Sequence, residues 1–324
     1  MQEPQRNGGV LRSRGGRGRV SILVLLSVLG LSACSLKRMA VNTIADTLAE
    51  SGDTFASDDD PELIRDAVPF SLKLMESTLA DVPRHRGLLL ATCSGFAQYA
   101  FAFVQVDAEQ IEFDDYEGAE ALKLRARRLY LRARDYCLRN LEVAYPGLAQ
   151  KLHVDPQTAV ARMKAEDVPA LYWTGAAWGA AVSLGLDRPE LVADLPAVKA
   201  LLARALVLDE AYERGAIHEA FISLEALPEA MGGSPARARE HFKRALELSK
   251  GLSAGAYVSL ATTVVVAEQN REEFERLLKE ALAVDSDEEP GLRLANLVAQ
   301  KRARFLLDHV DLFITSNAGG SPAR

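Results

Sequence analysis

The chain has 324 residues, is 48% hydrophobic and carries a formal net charge of −7. That length suits one or two domains with a real core. The acidic balance argues against nucleic acid as a partner, since such proteins need a basic face.

The first residues read as a targeting signal. Arg12, Arg14, Arg17 and Arg19 form a basic region, Val20–Leu31 a short apolar one, and Leu31, Ser32, Ala33 and Cys34 follow. The order basic, apolar, small-residue is that of a secretory leader, and the last four residues resemble a bacterial lipobox. The resemblance implies cleavage before Cys34 and acylation of that cysteine, with Ser35 pointing to the outer membrane. Acyl chains bury about 0.8 kcal/mol per CH₂, so several of them anchor firmly. Removing residues 1–33 takes away five Arg and one Glu and leaves a net charge of −11. Cys93 and Cys137 then remain. An export compartment permits a disulfide, but the simpler reading of two cysteines on separate helices is two buried thiols.

Residues 34–60 are polar and rich in small side chains, ending in Asp58, Asp59 and Asp60, and read as a tether. The globular domain is expected over 61–316 and a disordered tail over 317–324. Asp60 before Pro61 is a helix start. Further starts are Asp114 with Glu117, Ser234 before Pro235, and Asn270 with Glu273. Helix stops recur at Pro146-Gly147, Gly185, Gly232-Gly233, Gly251 and Pro290. No strand alternation is convincing, so the fold class is all-α.

Three stretches, Gly87–Val106, Ala170–Leu186 and Gly251–Ala267, contain no charged residue, and each is followed by a charged helical segment. A helix that is neutral all round must be covered on every side. The charged segments resemble one another: Arg132–Glu142 aligns without gaps on Arg237–Glu247, and Leu201–Leu206 and Leu277–Leu282 fit the same frame. Ala205, Ala245 and Ala281 are spaced as in paired-helix repeats. Ala238, Phe242 and Ala245 resemble the second helix of a tetratricopeptide repeat. The expectation is a degenerate tetratricopeptide-like array of about four helix pairs plus flanking helices, with neutral helices inside and charged helices outside. Ala170–Leu186, at ~1.5 Å per residue, is roughly 26 Å long and short of the bilayer core. Gly87–Val106 is long enough but holds Thr92, Ser94, Gln98 and Gln105. Both read as inner helices rather than spans.

Four blocks resemble the T component (TatT) family of tripartite ATP-independent periplasmic (TRAP) transporters: Pro169–Ala181, Ala220–Gly233, Tyr257–Leu260 and Leu292–Gln300. Together with the lipobox they are spread over most of residues 61–307. The resemblance implies a lipid-anchored periplasmic helical protein, a homotrimer with a pore in each protomer. It also implies binding to the periplasmic solute-binding subunit and a small hydrophobic organic ligand. No catalytic residue and no cofactor comes with it. The alternative is an outer-membrane scaffold for protein assembly without a channel.

Tyr172, Trp173 and Trp178 lie on the uncharged helix and could line a ligand channel or simply pack. Tyr257, Asn296 and Gln300 are further channel candidates. Asn296 and Gln300 are four apart and could hydrogen-bond each other or lock a helix pair. Gly175 and Gly179 suggest close approach of another backbone. Around Tyr212–Glu229 charge enters an inner-type helix: His218, Glu219, Glu225, Glu229 and Met231 are candidates for a partner-facing or pore-mouth surface. His218-Glu219 is not a zinc-protease motif, because Ile222 stands where the second histidine belongs. The arginines at 127, 128, 132 and 134 read as a solvated outer face or a docking patch. No nucleophile–base pair, phosphate loop or metal-ligand spacing is present, so an enzyme is not expected.

Overall fold

The computed structural model describes residues 1–2, 39–50 and 52–315, and every regular element among them is helical. Ten helices matter here: α1 (Pro61–Asp81), α2 (Arg86–Ala100, running on through a π-helical Phe101–Gln105 into Val106–Ile111), α3 (Tyr116–Ala144), α4 (Val168–Ser183) and α5 (Leu195–Leu208). They continue with α6 (Ala216–Glu225), α7 (Pro235–Ser249), α8 (Ala254–Leu260, with a π-helical Ala261–Val265), α9 (Arg271–Ala283) and α10 (Arg293–Asp308). Residues 3–38, which hold nearly all of the expected leader and Cys34, and the tail from 316 onward lie outside the described residues.

Local chemistry sets most of the boundaries. The Asp60 carboxylate accepts from the backbone N–H groups of Glu62 and Leu63, with Pro61 at the first helical position. Ser234 and Asn270 cap α7 and α9 in the same way. Such caps satisfy donors that a helix start leaves unpaired and contribute about 1 kcal/mol each. The start expected at Asp114 falls one residue later: Asp115 accepts from Gly118 N–H.

Helices pair in sequence, α2 with α3, α4 with α5, α6 with α7 and α8 with α9. The charged segments are the outer members, and the frame alanines Ala205, Ala245 and Ala281 are buried at their contacts. The inner helices form a closed circuit. Helix α1 packs on α2, α2 on α4, α4 on α6, α6 on α8, α8 on α10, and α10 returns to α1. The seam between the chain's two ends is polar. Arg302 Nε and Nη2 donate to Glu109 at 2.6 and 3.2 Å. Lys301 pairs with Glu62 at 3.0 Å, and Arg293 donates to the Ser57 carbonyl at 2.9 Å.

The two cysteines meet. Cys93 on α2 and Cys137 on α3 form a disulfide with Cα atoms 5.4 Å apart, correcting the expectation of two thiols. The stretch read as a tether is also partly built in. Residues 39–49 and Gly52–Ala56 are helical, Ala45 is fully buried, and Asp46 Oδ1 lies 3.0 Å from His85 Nε2. The arginine cluster ties helices together rather than forming one surface patch. Arg127 donates to the Leu184 carbonyl, Arg132 pairs with Glu76 over the Phe96 ring, and Arg134 sits over Trp178.

By length and composition the 26-residue run Arg86–Ile111 could cross a bilayer. In the fold it is a wall: Leu88, Leu89, Cys93 and Val104 are fully buried, and Arg65 clamps Asp107 near its end at 2.5 and 3.0 Å.

Candidate functional site: a ring-enclosed cavity

The circuit of inner helices surrounds a cavity of about 1100 Å³ that is partly open to solvent. The uncharged stretches face it, which answers the question of what covers their second side. Small residues such as Ala91, Gly95, Ala176 and Gly179 keep the lumen open, and Leu72, Val198 and Leu202 supply apolar surface. The π-helical turn of α2 shifts the helix register, and Phe101, Ala102, Phe103 and Gln105 all reach the wall. Such turns recur at functional sites.

The six channel candidates, on α4, α8 and α10, have separate fates. Tyr172 and Trp173 line the cavity. Trp178 does not: it is buried on the other side of α4, where its indole N–H donates to Asp194 at 2.9 Å. Tyr257 also points away and packs edge-on against Phe242 of α7 at 5.6 Å. Asn296 borders the cavity, but its amide is spent on α8: Oδ1 accepts from Ala254 N–H and Nδ2 donates to the Leu252 carbonyl, both at 2.9 Å. Gln300 lies outside the cavity and ties α10 to the end of α9 through the Ala281 and Val284 carbonyls. The two amides lock different neighbours rather than each other. Gly175 and Gly179 meet side chains of α5, Leu202 and Val198, rather than a backbone.

The charged helix α6 divides by face. Glu219 lines the cavity. His218 and Glu225 face α7 instead. His218 Nδ1 is 2.8 Å from His241 Nδ1, and its Nε2 is 3.3 Å from Glu210. One ring of that histidine pair must donate and the other accept. Burial lowers the affinity of both rings for a second proton, with Glu210 opposing this at His218. Glu225 takes the Arg237 guanidinium at 2.9 and 2.6 Å. Glu229 and Met231 sit on the following turn outside the cavity. That turn is pinned by Lys199, which donates to the Met231 and Gly232 carbonyls, and Gly232 takes the positive φ of +79° that its lack of Cβ permits.

Sequence reasoning missed the aromatic and charged turn before α6. Tyr212 lines the cavity with its ring 5.3 Å from that of Tyr172, and Tyr172 and Trp173 meet edge-on at 4.9 Å. Glu213 and Arg214 adopt left-handed backbone, φ 44° and 54°. Non-glycine residues hold that conformation only where surroundings impose it; here Arg214 is tied to Glu289. Glu219 accepts from Ser253 Oγ at 2.9 Å, and burial raises its pKa. Burial also raises the Tyr172 phenol, with Glu219 adding to the effect.

A mostly apolar cavity with a few polar groups on its wall has the general character of small-molecule sites. Residues 57–313 match the family described as TRAP transporter T-component. The chain belongs to that family. A Treponema pallidum (strain Nichols) protein, described as uncharacterized, is 31% identical over 314 residues, 91% of this chain and 97% of that one. Membership associates this T-component chain with a TRAP transport system, makes its role transport rather than catalysis, and points to a periplasmic location.

Proposed function

We propose that the ring-enclosed cavity is the cargo chamber of the T component, a channel for a small, largely apolar organic molecule. The chain would bind the periplasmic solute-binding subunit of the TRAP system. The observation that carries this is the closed circuit of six inner helices around about 1100 Å³, with the three uncharged stretches on its wall. A scaffold for extended peptides would instead present an open groove with polar side chains at hand. In the same reading Cys34 is acylated and holds the chain to the periplasmic face of the outer membrane, and the helix pairs are degenerate tetratricopeptide-like repeats. A homotrimer is supported by an apolar stripe on the outer face of α1: Leu63, Phe70 and Leu74 are 57%, 73% and 40% exposed at helical spacing.

The chamber is tested by placing cysteine at Ala176 on its wall and following alkylation with an apolar maleimide. Bound cargo from a cell-envelope extract should slow the reaction severalfold while leaving a surface cysteine unaffected. Equal rates with and without extract, together with failure to co-purify a solute-binding protein, would leave only the scaffold. Sedimentation of Phe70→Glu against the parent chain tests the trimer.

A further inference from the structure

We propose that the corner of the cavity formed by Tyr172, Trp173 and Tyr212, with Glu219 beside it, is a binding site for an organic cation carrying an apolar body. The proposal rests on the reading of the cavity as a cargo site and specifies the chemistry of that cargo.

Three observations converge. The first is the aromatic cluster. Tyr172 contacts Trp173 at 4.9 Å with rings at 69°, and Tyr212 at 5.3 Å with rings at 54°. In an edge-on contact the ring that offers its edge keeps its faces out of that contact. All three residues border the cavity. A ring face attracts a cation within about 6 Å of its centroid, and Tyr and Trp are good hosts for alkylated ammonium groups.

The second is the carboxyl of Glu219. Among the described residues it makes one hydrogen bond, from Ser253 Oγ, and no arginine or lysine acts on it. Its Oε1 lies against Gly255 of α8, so close that a Cβ there would collide with it. A carboxyl held inside a protein with no cation costs free energy that an amide or an alkyl side chain would not. A cationic ligand removes that cost.

The third is the sign of the wall. Asp46, Glu50, Glu213 and Glu219 border the cavity, with His85, Arg214 and Arg302, and His85 lies against Asp46. Both arginines are neutralised from outside it: Arg214 by Glu289 and Arg302 by Glu109, neither of which lines the cavity. An anionic cargo would find no spare cation and would face the Glu219 carboxyl. A wholly neutral cargo would leave that carboxyl without a purpose. In the empty cavity burial keeps Glu219 protonated to a higher pH than usual, so arrival of a quaternary ammonium should drive the proton off to solvent.

The test is calorimetric titration of the purified full chain with three probes of equal chain length: octyltrimethylammonium, 1-octanol and octanoate. The ammonium should bind about tenfold or more tighter than the alcohol, and octanoate weakest. Ammonium binding should release a proton, read as a dependence of the heat on the ionisation enthalpy of the buffer. Glu219→Gln should abolish the proton release and close the gap, with alcohol affinity unchanged. Tyr212→Leu, which leaves the carboxyl in place, should weaken the ammonium severalfold and spare the alcohol, so the proposal stays testable if Glu219→Gln does not fold. If the alcohol binds and the ammonium gains less than twofold, or the gap survives in both variants, the cation site is wrong while the cargo cavity stands. If octanoate binds best, the sign is wrong. If no probe binds, the cargo cavity falls with it.

Discussion

Cutting the polar seam that closes the ring should destabilise the fold locally before it does so globally. The perturbation is Arg302→Ala on α10. Its guanidinium makes two charge-assisted hydrogen bonds to Glu109, and the two side chains are 14% and 24% exposed. Glu109 is held in turn by Gln105 at 3.2 Å, and Gln105 by the Tyr130 hydroxyl at 2.7 Å. Breaking a fully buried pair costs about 3–5 kcal/mol and an exposed one about 0–1 kcal/mol. This pair lies between, so the expected loss is about 2–3 kcal/mol. The assay is urea denaturation of Arg302→Ala, Glu109→Gln and the double variant. The cycle should give a coupling of about 1.5 kcal/mol or more, because removing either partner strands the other. Hydrogen exchange should quicken in residues 293–308 and 61–81 ahead of α4 and α5, since the seam joins the chain's ends. A coupling below about 0.5 kcal/mol, or exchange that rises uniformly, would refute the seam as the element that closes the cavity.

Replacing both Cys93 and Cys137 with alanine should cost about 4 kcal/mol by the loop-entropy relation for their separation of 44 residues; a midpoint unchanged by reduction would contradict this. Gly175→Ala should cost about 1–3 kcal/mol, because the new Cβ would stand 2.6 Å from Leu202 Cγ, whose side chain is buried; denaturation with unaltered stability would show that α4 and α5 separate freely. Glu219 carries a pKa raised by burial, so its contribution is fully present below the unfolded carboxylate value and is lost as pH rises through the folded one. Across that window the chain should lose up to about 1.4 kcal/mol per pH unit relative to Glu219→Gln; urea midpoints at several pH values that run parallel for the two proteins would rule it out.

Much of the fold was legible before any coordinates. Capping residues at Asp60, Ser234 and Asn270 mark helix starts because their side chains meet backbone donors only a few residues away. The separation of neutral from charged helices follows from the same periodicity, which is also local. Of the site, Tyr172 and Trp173 were within reach because they sit on a helix without charge, and Glu219 because it is a charge on an inner-type helix, although it was expected at a pore mouth or partner surface. Trp178, Tyr257 and Gln300 were not separable from them. The five positions between them, about 140° around the helix, send Trp173 into the cavity and Trp178 to Asp194, and sequence does not fix which face turns inward when the helix is neutral all round. Tyr212 was hidden in a non-helical turn.

The sequence by itself determined the all-α class, the order of inner and outer helices and the family, since each depends on spacing along one chain. Only the tertiary structure decided that the array closes. Arg302 meets Glu109 across 193 residues and Lys301 meets Glu62 across 239, and no local pattern encodes a contact between the two ends of the chain. Closure turns the inner face into the wall of a cavity, and the arginines on that wall are paired with carboxylates from outside it, while the carboxyl of Glu219 has no such partner among the described residues.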